Sequence, residues 1–436
     1  MTITDPRSTR QGIAAPPRTG VLLAAFTLLL FMCLAGPVMA YSDLPATGEG
    51  SPARQAGYLL AFLLTLYGIN PLANPSRLLV VPAAIVVALA WCWLSTVWSL
   101  SPGSTLRRIV LTSMVIWSIF AIVRHLGYEQ PVAIIRVMLA VLLLTNVVVS
   151  LALPDIGVHQ FNEPGDKGLI GDWRGVMVHK NFAAPTAVLA VLFFLFDARR
   201  IPMALRVAVI ALGVWFLANS GSKTSVGIGL FAILLGLVMQ FYTGKGRALV
   251  MLMLALGGIA AVIVAYIYID PLKMNFTDER SFTGRPLIWK ALIDFWQDHP
   301  WTGAGYGAFW NIGGGKDPIF HYARGWVTQV TVGHNGYLDL LAQIGIPGLV
   351  LVLVAVIVVP TGRLFMLRHV PASRLALIVA ILYFCIGHNS TESSLFERDA
   401  IPQVFLMLAI AFIETLRARS ALPSHAPLRR HRPAAG

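Results

Sequence analysis

Apolar runs of about 20 residues, the length that crosses a bilayer as one helix, recur along almost the whole chain. Short polar segments rich in Gly, Pro or basic residues separate them. Because hydrophobicity that returns at this length indicates membrane crossings and not one soluble core, we predict twelve spans. They lie at 20–42, 54–70, 77–99, 105–123, 131–153, 182–197, 201–219, 224–242, 247–269, 346–366, 374–390 and 400–417.

Two polar stretches interrupt this pattern, a short one at 154–180 and a long one at 271–345. The chain is therefore predicted to be an all-α integral membrane protein with one large outer loop that contains amphipathic helices. The predicted order is a disordered tail at 1–19, membrane helices 1–9 at 20–270, the loop at 271–345, membrane helices 10–12 at 346–417 and a basic tail at 418–436.

The charge pattern indicates how the spans are oriented. Only 12% of the residues are charged, about half the share of an average soluble domain, and the net charge is +13. Lys and Arg residues concentrate in short segments between spans and at both ends, which favours membrane orientation over nucleic-acid binding. With both termini cytoplasmic, the two polar stretches lie on the outer face.

The cysteines and the missing ligand motifs argue against a disulfide framework or a metal site. Cys33, Cys92 and Cys385 all fall in apolar runs, where they are predicted to be packing residues. The sequence has no CxxC and no HExxH motif, so we expect no metal and no cofactor. Val38-Met39-Ala40 resembles a signal-peptidase site, but the run before it is longer than the usual signal core, so we expect this span to be retained.

The first outer stretch ends in a group of cations at the mouth of the sixth span. Arg174 precedes His179-Lys180-Asn181, and we predict that Asn181 caps the following helix. Lys180 would then lie beside the positive end of the helix dipole, and with Arg174 it would form an anion site. The alternative is that both cations contact lipid headgroups.

A second group opens the eighth span, where Ser220-Gly221-Ser222-Lys223-Thr224-Ser225 combines hydroxyls, small residues and a lysine. Backbone N–H groups, hydroxyls and an ammonium suit phosphate oxygens, although the spacing is not that of a nucleotide-binding loop. A serine-capped helix start is the alternative interpretation.

The long loop contains an amphipathic helix that begins at Arg285. Pro286 suits the first turn, and Ile288, Leu292 and Phe295 share one face. We expect this helix to lie along the membrane surface or under the loop, with Arg285 at its amino end.

Two histidines stand where apolar helices meet the outer face. His334-Asn335 precedes the helix that leads into the tenth span, and a histidine at this place suits a general base. His388 ends the eleventh span and is followed by Glu392, one of three acids in that connection. The sequence alone does not separate the roles of the two histidines.

Taken in order, these motifs resemble the exopolysaccharide-polymerase branch of the O-antigen ligase and polymerase family. The resemblance covers about residues 20 to 417, and each motif is weak while the ordered set is fairly specific. The motifs are Trp173-Arg174-Gly175, His179-Lys180-Asn181, Ser220-Gly221-Ser222-Lys223-Thr224, Thr283-Gly284-Arg285 with Trp289, Gly303-Ala304-Gly305-Tyr306-Gly307-Ala308-Phe309-Trp310, His334-Asn335-Gly336 and Thr391-Glu392-Ser393.

The resemblance implies a GT-C-like, metal-independent glycosyltransferase at the periplasmic face of a bacterial inner membrane. Its substrates would be undecaprenyl-diphosphate-linked oligosaccharides, and a chain-length regulator or export machinery would be its partners. His334 and Arg285 match positions associated with catalysis in the ligase branch. Lys223 stands where a ligase would present an arginine, which favours the polymerase branch. The residues predicted to bind substrate are Arg174, Lys180, Asn181, Lys223, Asn335 and Glu392.

Three other functions fit parts of the sequence. A ligase would pass finished glycan to lipid A core, and its loss would leave polymer on the lipid carrier. A flippase for lipid-linked sugars would need polar groups along a path through the spans, and the sequence shows few. A scaffold for export machinery would tolerate alanine at His334.

Overall fold

The computed structural model describes residues 16–39, 51–161, 167–241, 284–313, 315–367 and 369–420. The predicted ninth span at 247–269, Ser281 to Thr283 and most of both tails lie outside these residues.

The described chain is helical, and its only β pairing is one isolated antiparallel bridge between Val158 and Trp173. The helices are α1 (Thr19–Met39), α2 (Pro52–Ile69), α3 (Ala83–Leu94), α4 (Pro102–Leu126), α5 (Glu129–Ala152), α6 (Pro154–Gly157), α7 (Lys180–Leu195), α8 (Met203–Asn219), α9 (Lys223–Phe241), α10 (Arg285–Asp298), α11 (Ile319–Tyr322), α12 (Gly336–Leu353), α13 (Val359–Phe365), α14 (Ala372–His388) and α15 (Ile401–Ser420).

Six of the described helical segments are long and apolar enough to cross a membrane. They are Thr19–Val38, Pro102–Leu126, Glu129–Ala152, Lys223–Phe241, Gly336–Phe365 and Ile401–Ser420, and shorter apolar helices accompany them. The prediction of an all-α membrane protein is confirmed, and every predicted span within the described residues contains a helix.

The predicted span at 77–99 is shorter than expected. A 3-10 turn occupies Pro75–Leu78, and α3 begins only after Pro82, whose ring fits a helix start but cannot donate to a preceding turn. The α-helical geometry ends at Leu94 and a second 3-10 turn follows.

The helix that leads into the predicted tenth span has a break at Gly345. Gly345 has φ 67° and ψ −176°, a backbone conformation that side chains disfavour, so the helical ladder is interrupted there. The indole of Trp91 donates to the Ile344 carbonyl (3.0 Å), and the Ile346 N–H donates to the Pro300 carbonyl (2.9 Å). The part of α12 before the break therefore belongs to the surface loop and the part after it to the bundle.

The bundle is packed around α14 and α15, whose side chains are buried along most of their length. α14 lies against α9 and α15, and α15 also lies against α4. A second, smaller apolar core lies under the loop, where Ile288, Leu292 and Phe295 of α10 contact Phe309 and Trp310. This settles the placement of the predicted amphipathic helix, which packs under the loop.

The helix ends gather on two sides. The start of α7, the end of α8, the start of α12 and the end of α14 meet on one side, which we call the site end. The end of α7 and the start of α14 meet on the other, which we call the clamp end, through the contact of Arg374 with Asp197. Arg136 of α5 donates there to the carbonyls of Phe193 and Asp197, so it holds the end of α7.

Candidate functional site

The site end is organised around the carboxylate of Glu392, which lies in the connection between α14 and α15. One oxygen, Oε1, accepts from Arg285 (2.7 Å) and from the side-chain amide of Asn181 (2.8 Å). The other, Oε2, lies 3.2 Å from Nδ1 of His334. One carboxylate therefore joins the first turn of α7, the start of α10 and the histidine that precedes the cap of α12.

Arg285 is held in place by two acceptors. Its guanidinium donates to the Thr391 carbonyl (2.6 Å) as well as to Glu392, and its side chain is 17% exposed. A guanidinium has five N–H donors in a fixed plane, so these two bonds orient the group while leaving other donors.

The environment of Glu392 determines how His334 is hydrogen-bonded. Burial opposes ionisation of Glu392, but the hydrogen bond from His334 and the positive charge of Arg285 outweigh it and hold the pKa of the carboxyl below its ordinary value. An ionised carboxylate only accepts hydrogen bonds, so Nδ1 of His334 is the donor. The lone pair of the neutral imidazole then resides on Nε2, the nitrogen suited to take up a proton.

The backbone around His334 is fixed by the loop core. His334 itself has φ 51°, in the left-handed region. The carbonyl of the preceding Gly333 accepts from the Trp289 indole (3.0 Å), and its N–H donates to the Asp339 carboxylate (3.1 Å). Asp339 also accepts from the Trp310 indole (2.7 Å), so α10, the 303–310 turn and α12 together set the position of the imidazole.

Asn335 does not face the Glu392 carboxylate but supports it. Its side chain caps α12 by accepting from the N–H groups of Tyr337 and Leu338, and its own N–H donates to the Ser393 hydroxyl (3.0 Å). The capping residue directly follows His334 and the helix begins at Gly336, which keeps the imidazole outside the regular turn.

The prediction that Asn181 caps α7 is wrong. The capping residue is His179, which has extended backbone angles and accepts from the Asn181 N–H through Nδ1 (3.1 Å). His159 accepts from the Lys180 N–H through Nε2 (3.3 Å), and the two rings meet edge to face. Burial and then the neighbouring His159 lower the pKa of His179 to about 4. The side chain of Asn181, not used as a cap, reaches Glu392 instead.

The two predicted lysines lie beside this group. The ammonium of Lys180 is 2.5 Å from the Asp172 carboxylate and 3.4 Å from the Gly221 carbonyl, so it connects the 154–180 stretch to the turn before α9. Lys223 begins α9 two residues after Gly221, and its side chain is exposed. The pairing of Lys180 with Asp172 is a contact that the anion-site prediction did not include.

Arg174 is buried within the first outer stretch, with 6% of its surface exposed. Its guanidinium donates to the carbonyls of Ile156 (2.8 Å) and Val178 (3.4 Å). These bonds hold the stretch that carries Lys180, and the predicted contact of Arg174 with substrate stays a prediction.

His388 lies beneath the site, at the last residue of α14, and is 2% exposed. Its ring leans on Phe384, and neither ring nitrogen has a hydrogen-bond partner among the described residues. The sequence alone did not separate the roles of His334 and His388. Their environments differ, since His334 faces the site and His388 is enclosed below it.

Two groups that the sequence analysis did not select take part in positioning. In the sequence, Asp339 looks like an ordinary acid that complements the dipole in the first turn of a helix, and His159 looks like a histidine in a loop, so neither indicated a site. The signal that could have indicated Asp339 is its place four residues beyond Asn335, one helical turn from the cap and facing the same loop.

Residues 187–353 match the family described as O-Antigen ligase, and this segment includes Lys223, Arg285 and His334. A search of the curated proteins found no match.

Proposed function

We propose, from the match of residues 187–353 to the O-Antigen ligase family, that the chain joins undecaprenyl-diphosphate-linked repeat units into exopolysaccharide at the periplasmic face of the inner membrane. The match supports glycan transfer from lipid-linked substrates in a membrane. The polymerase activity, the lipid carrier and the orientation are part of the proposal.

The observation that carries the proposal is the arrangement of Arg285 and His334 on opposite oxygens of Glu392. The cation and the proton acceptor each form a hydrogen bond with the same carboxylate. Their positions relative to each other are therefore fixed. A transfer that expels a diphosphate while removing a proton from a hydroxyl needs such a pair.

The proposed reaction is a single displacement. The hydroxyl oxygen of the acceptor sugar forms a bond to the anomeric carbon of the growing glycan, and the bond from that carbon to the diphosphate oxygen breaks. Nε2 of His334 accepts the hydroxyl proton, and undecaprenyl diphosphate leaves with the bonding electrons. A single displacement at carbon inverts the anomeric configuration.

The cations stabilise the charge that develops on the leaving diphosphate. Arg285 has guanidinium donors beyond the two that hold it, and Lys223 is exposed at the start of α9. Lys180 pairs with Asp172 as Arg285 pairs with Glu392, so both act through the direction of their donors more than through net charge. Asn181 orients Glu392 through its amide, and Asn335 fixes the helix start beside His334.

The periplasmic orientation is supported by the distribution of basic residues. Arg18, Arg200, Arg206 and Arg363 lie at or close to helix ends on the clamp side of the bundle, the pattern expected of a cytoplasmic face. The site end would then face the periplasm, where a chain-length regulator or export machinery would receive the polymer.

The test is reconstitution of the purified protein with undecaprenyl-diphosphate-linked repeat units, with chain length read on gels. The wild-type protein should form polymer with and without EDTA, and His334→Ala should form none. His321→Ala is the matched control, since His321 is an exposed histidine of the same loop. Polymer of normal length from the His334 variant would overturn the proposal.

A null strain separates polymerase from ligase. Loss of a polymerase leaves single repeat units, whereas loss of a ligase leaves finished polymer on the lipid carrier. Finding finished polymer on the carrier would assign the ligase function instead.

A further inference from the structure

A cavity of about 340 Å³ lies at the site end, between α1, the start of α4, the first part of α12 and the connection that follows α14. We call it the inner cavity. Its volume falls within the range of pockets that hold small ligands, about 300–1,000 Å³. Glu392, Arg285 and His334 are not among its described lining residues, so it is distinct from the site built on Glu392.

The inner cavity and the Glu392 site are built on the same backbone segments. Gly336 lines the cavity, and its N–H donates to the Glu392 carbonyl (3.1 Å). Ser393 also lines it, and its hydroxyl accepts from the Asn335 N–H (3.0 Å). A ligand in the inner cavity would therefore lie against the segments that carry His334 and Glu392.

The charges that line the inner cavity balance among the described residues. The lining contains three arginines and three carboxylates, namely Arg54, Arg108, Arg398, Asp339, Glu397 and Asp399. Arg54 lies 2.6 Å from Asp399, and Arg398 pairs with Glu397. Arg108 donates to backbone carbonyls of the 307–311 turn. Because each of these arginines already has an acceptor, the cavity suits an uncharged ligand better than a phosphate.

The side-chain amide of Gln343 on α12 supplies donors for such a ligand. Gln343 is 6% exposed, and its Oε1 accepts from the Gly307 N–H (2.7 Å). A backbone N–H can only donate, so the amide oxygen faces Gly307 and the NH2 group is turned away from it. Gln343 lines the inner cavity, and its NH2 group forms no hydrogen bond with the described residues. Two buried donors therefore remain for oxygen atoms of a ligand.

Phe182 adds an aromatic surface to this lining. It is 48% exposed on the first turn of α7 and lines the inner cavity directly after Asn181 in the chain. Hydroxyl and amide groups of Thr331, Asn311 and Ser393 lie in the same lining. A sugar ring has an apolar C–H face and a rim of hydroxyls, so it matches an aromatic ring that stands beside polar groups.

We propose that the inner cavity binds an uncharged sugar residue of the glycan, with a sugar oxygen accepting from the Gln343 amide and the ring face packed on Phe182. This rests on the proposed function, because glycan transfer from a lipid carrier brings sugars to the site end. The cations beside Glu392 bind the diphosphate, and the inner cavity adds selection among sugars, since hydrogen bonds to hydroxyls reject analogues that lack them.

The test measures binding of the lipid-free repeat-unit oligosaccharide to the full chain in detergent by isothermal titration calorimetry. Gln343→Glu keeps an oxygen for the Gly307 N–H but removes both donors and adds a charge, so the affinity should fall at least tenfold. The matched control is Gln329→Glu, the same change at an exposed glutamine of the loop, and it should bind like wild type. Equal affinities of wild type and the Gln343 variant, or no binding to wild type, would overturn the proposal.

A second variant covers the case in which Gln343→Glu fails to fold. Phe182→Ala removes the ring and should weaken the oligosaccharide about fivefold, whereas Phe182→Tyr should keep the affinity. Phe231→Ala, at a 43% exposed ring of α9, is the control and should bind like wild type. Unchanged affinity in Phe182→Ala contradicts the proposal.

Inorganic diphosphate distinguishes a sugar site from a phosphate site. It should leave the affinity for the oligosaccharide unchanged, because the lining has no excess of positive charge among the described residues. Competition between the two would assign the inner cavity to phosphate and would also overturn the proposal.

The result is separable from the test of the proposed function. If the oligosaccharide binds as described yet the reconstituted protein forms no polymer, the polymerase proposal fails while the inner cavity remains a sugar site. If polymer forms but Gln343→Glu binds the oligosaccharide like wild type, the assignment of the inner cavity fails alone.

Discussion

The two ends of the bundle use the same kinds of charged residue for different purposes. At the clamp end, Arg374 of α14 contacts Glu129 of α5 and Asp197 beyond α7, and Arg363 lies 2.6 Å from Glu414. At the site end, Glu392 accepts from an arginine, an amide and an imidazole together.

The difference lies in what the carboxylate does for its partners. Glu129 and Glu414 form ion pairs with arginines, and these pairs hold helices together. Glu392 also fixes the tautomer of His334. Its removal would therefore break the contact between segments and also change the proton chemistry of His334. An ion pair in a membrane bundle is therefore not evidence for a site unless it also orients a reactive group.

The sharpest way to break the comparison is to neutralise one carboxylate at each end. Glu392→Gln should lower polymer formation by about 10²-fold or more, because the amide no longer fixes Nδ1 of His334 as the donor. Glu414→Gln should leave the rate per folded molecule within a few-fold of wild type. Initial rates on matched amounts of folded protein check this, and equal losses in both variants would contradict the distinction.

A smaller effect is expected from Asp339, which positions His334 through the backbone. Asp339→Asn keeps an oxygen for the Trp310 indole but places an N–H donor against the Gly333 N–H, so that bond is lost, and we expect about a tenfold loss of rate with little change in substrate affinity. A role confined to stability would lower the unfolding temperature without changing the rate per folded molecule. Comparing KM and kcat with the unfolding temperature distinguishes the two.

The sequence predicted the spans well because length and hydropathy suffice to indicate a bilayer crossing. It also indicated Arg285, His334 and Glu392, since each stands where an apolar helix meets the polar outer face. The sequence could not show that the carboxylate of Glu392 contacts both Arg285 and His334. Glu392 is 58 residues from His334, 107 from Arg285 and 211 from Asn181, and no periodicity relates such distances.

The wrong prediction that Asn181 caps α7 also has its reason in a contact between residues distant in sequence. Asn is among the preferred capping residues and histidine is not, so propensity selected Asn181 over His179. The side chain of Asn181 instead donates to Glu392, a partner from a distant part of the chain, and His179 accepts the helix N–H in its place. A tertiary contact decided between two local choices.

At the clamp end the expected effect is on stability alone. Arg374→Gln removes contacts with Glu129 and Asp197 and the packing of the guanidinium over the ring of Tyr128. We expect a loss on the order of 2 kcal/mol, between the values for exposed and buried pairs. Thermal unfolding in detergent measures it, and the rate per folded molecule should be unchanged.

A pH dependence of stability is expected to arise at His179. Its pKa is about 4 when folded and about 6.5 when unfolded, so the unfolded chain binds more protons between these values. Stability should therefore fall as the pH drops from 6.5 toward 4, by about 3 kcal/mol at most.

His179→Asn sharpens this measurement, because asparagine is a good capping residue that does not titrate. Unfolding temperatures of both proteins at pH 7 and pH 5 give the comparison, and the difference between them should be smaller for the variant. An identical pH dependence would place the titrating group elsewhere.

The break at Gly345 separates the part of α12 that follows His334 from the part that packs in the bundle. A Cβ at this residue would lie 2.3 Å from the Trp301 carbonyl oxygen, so no larger side chain fits in this conformation. The two backbone groups released there are anchored by Trp91 and Pro300. Gly336–Phe365 is long and apolar enough to cross a membrane, and we expect a change in membrane thickness to be accommodated after this joint, which leaves the position of His334 against the loop unchanged.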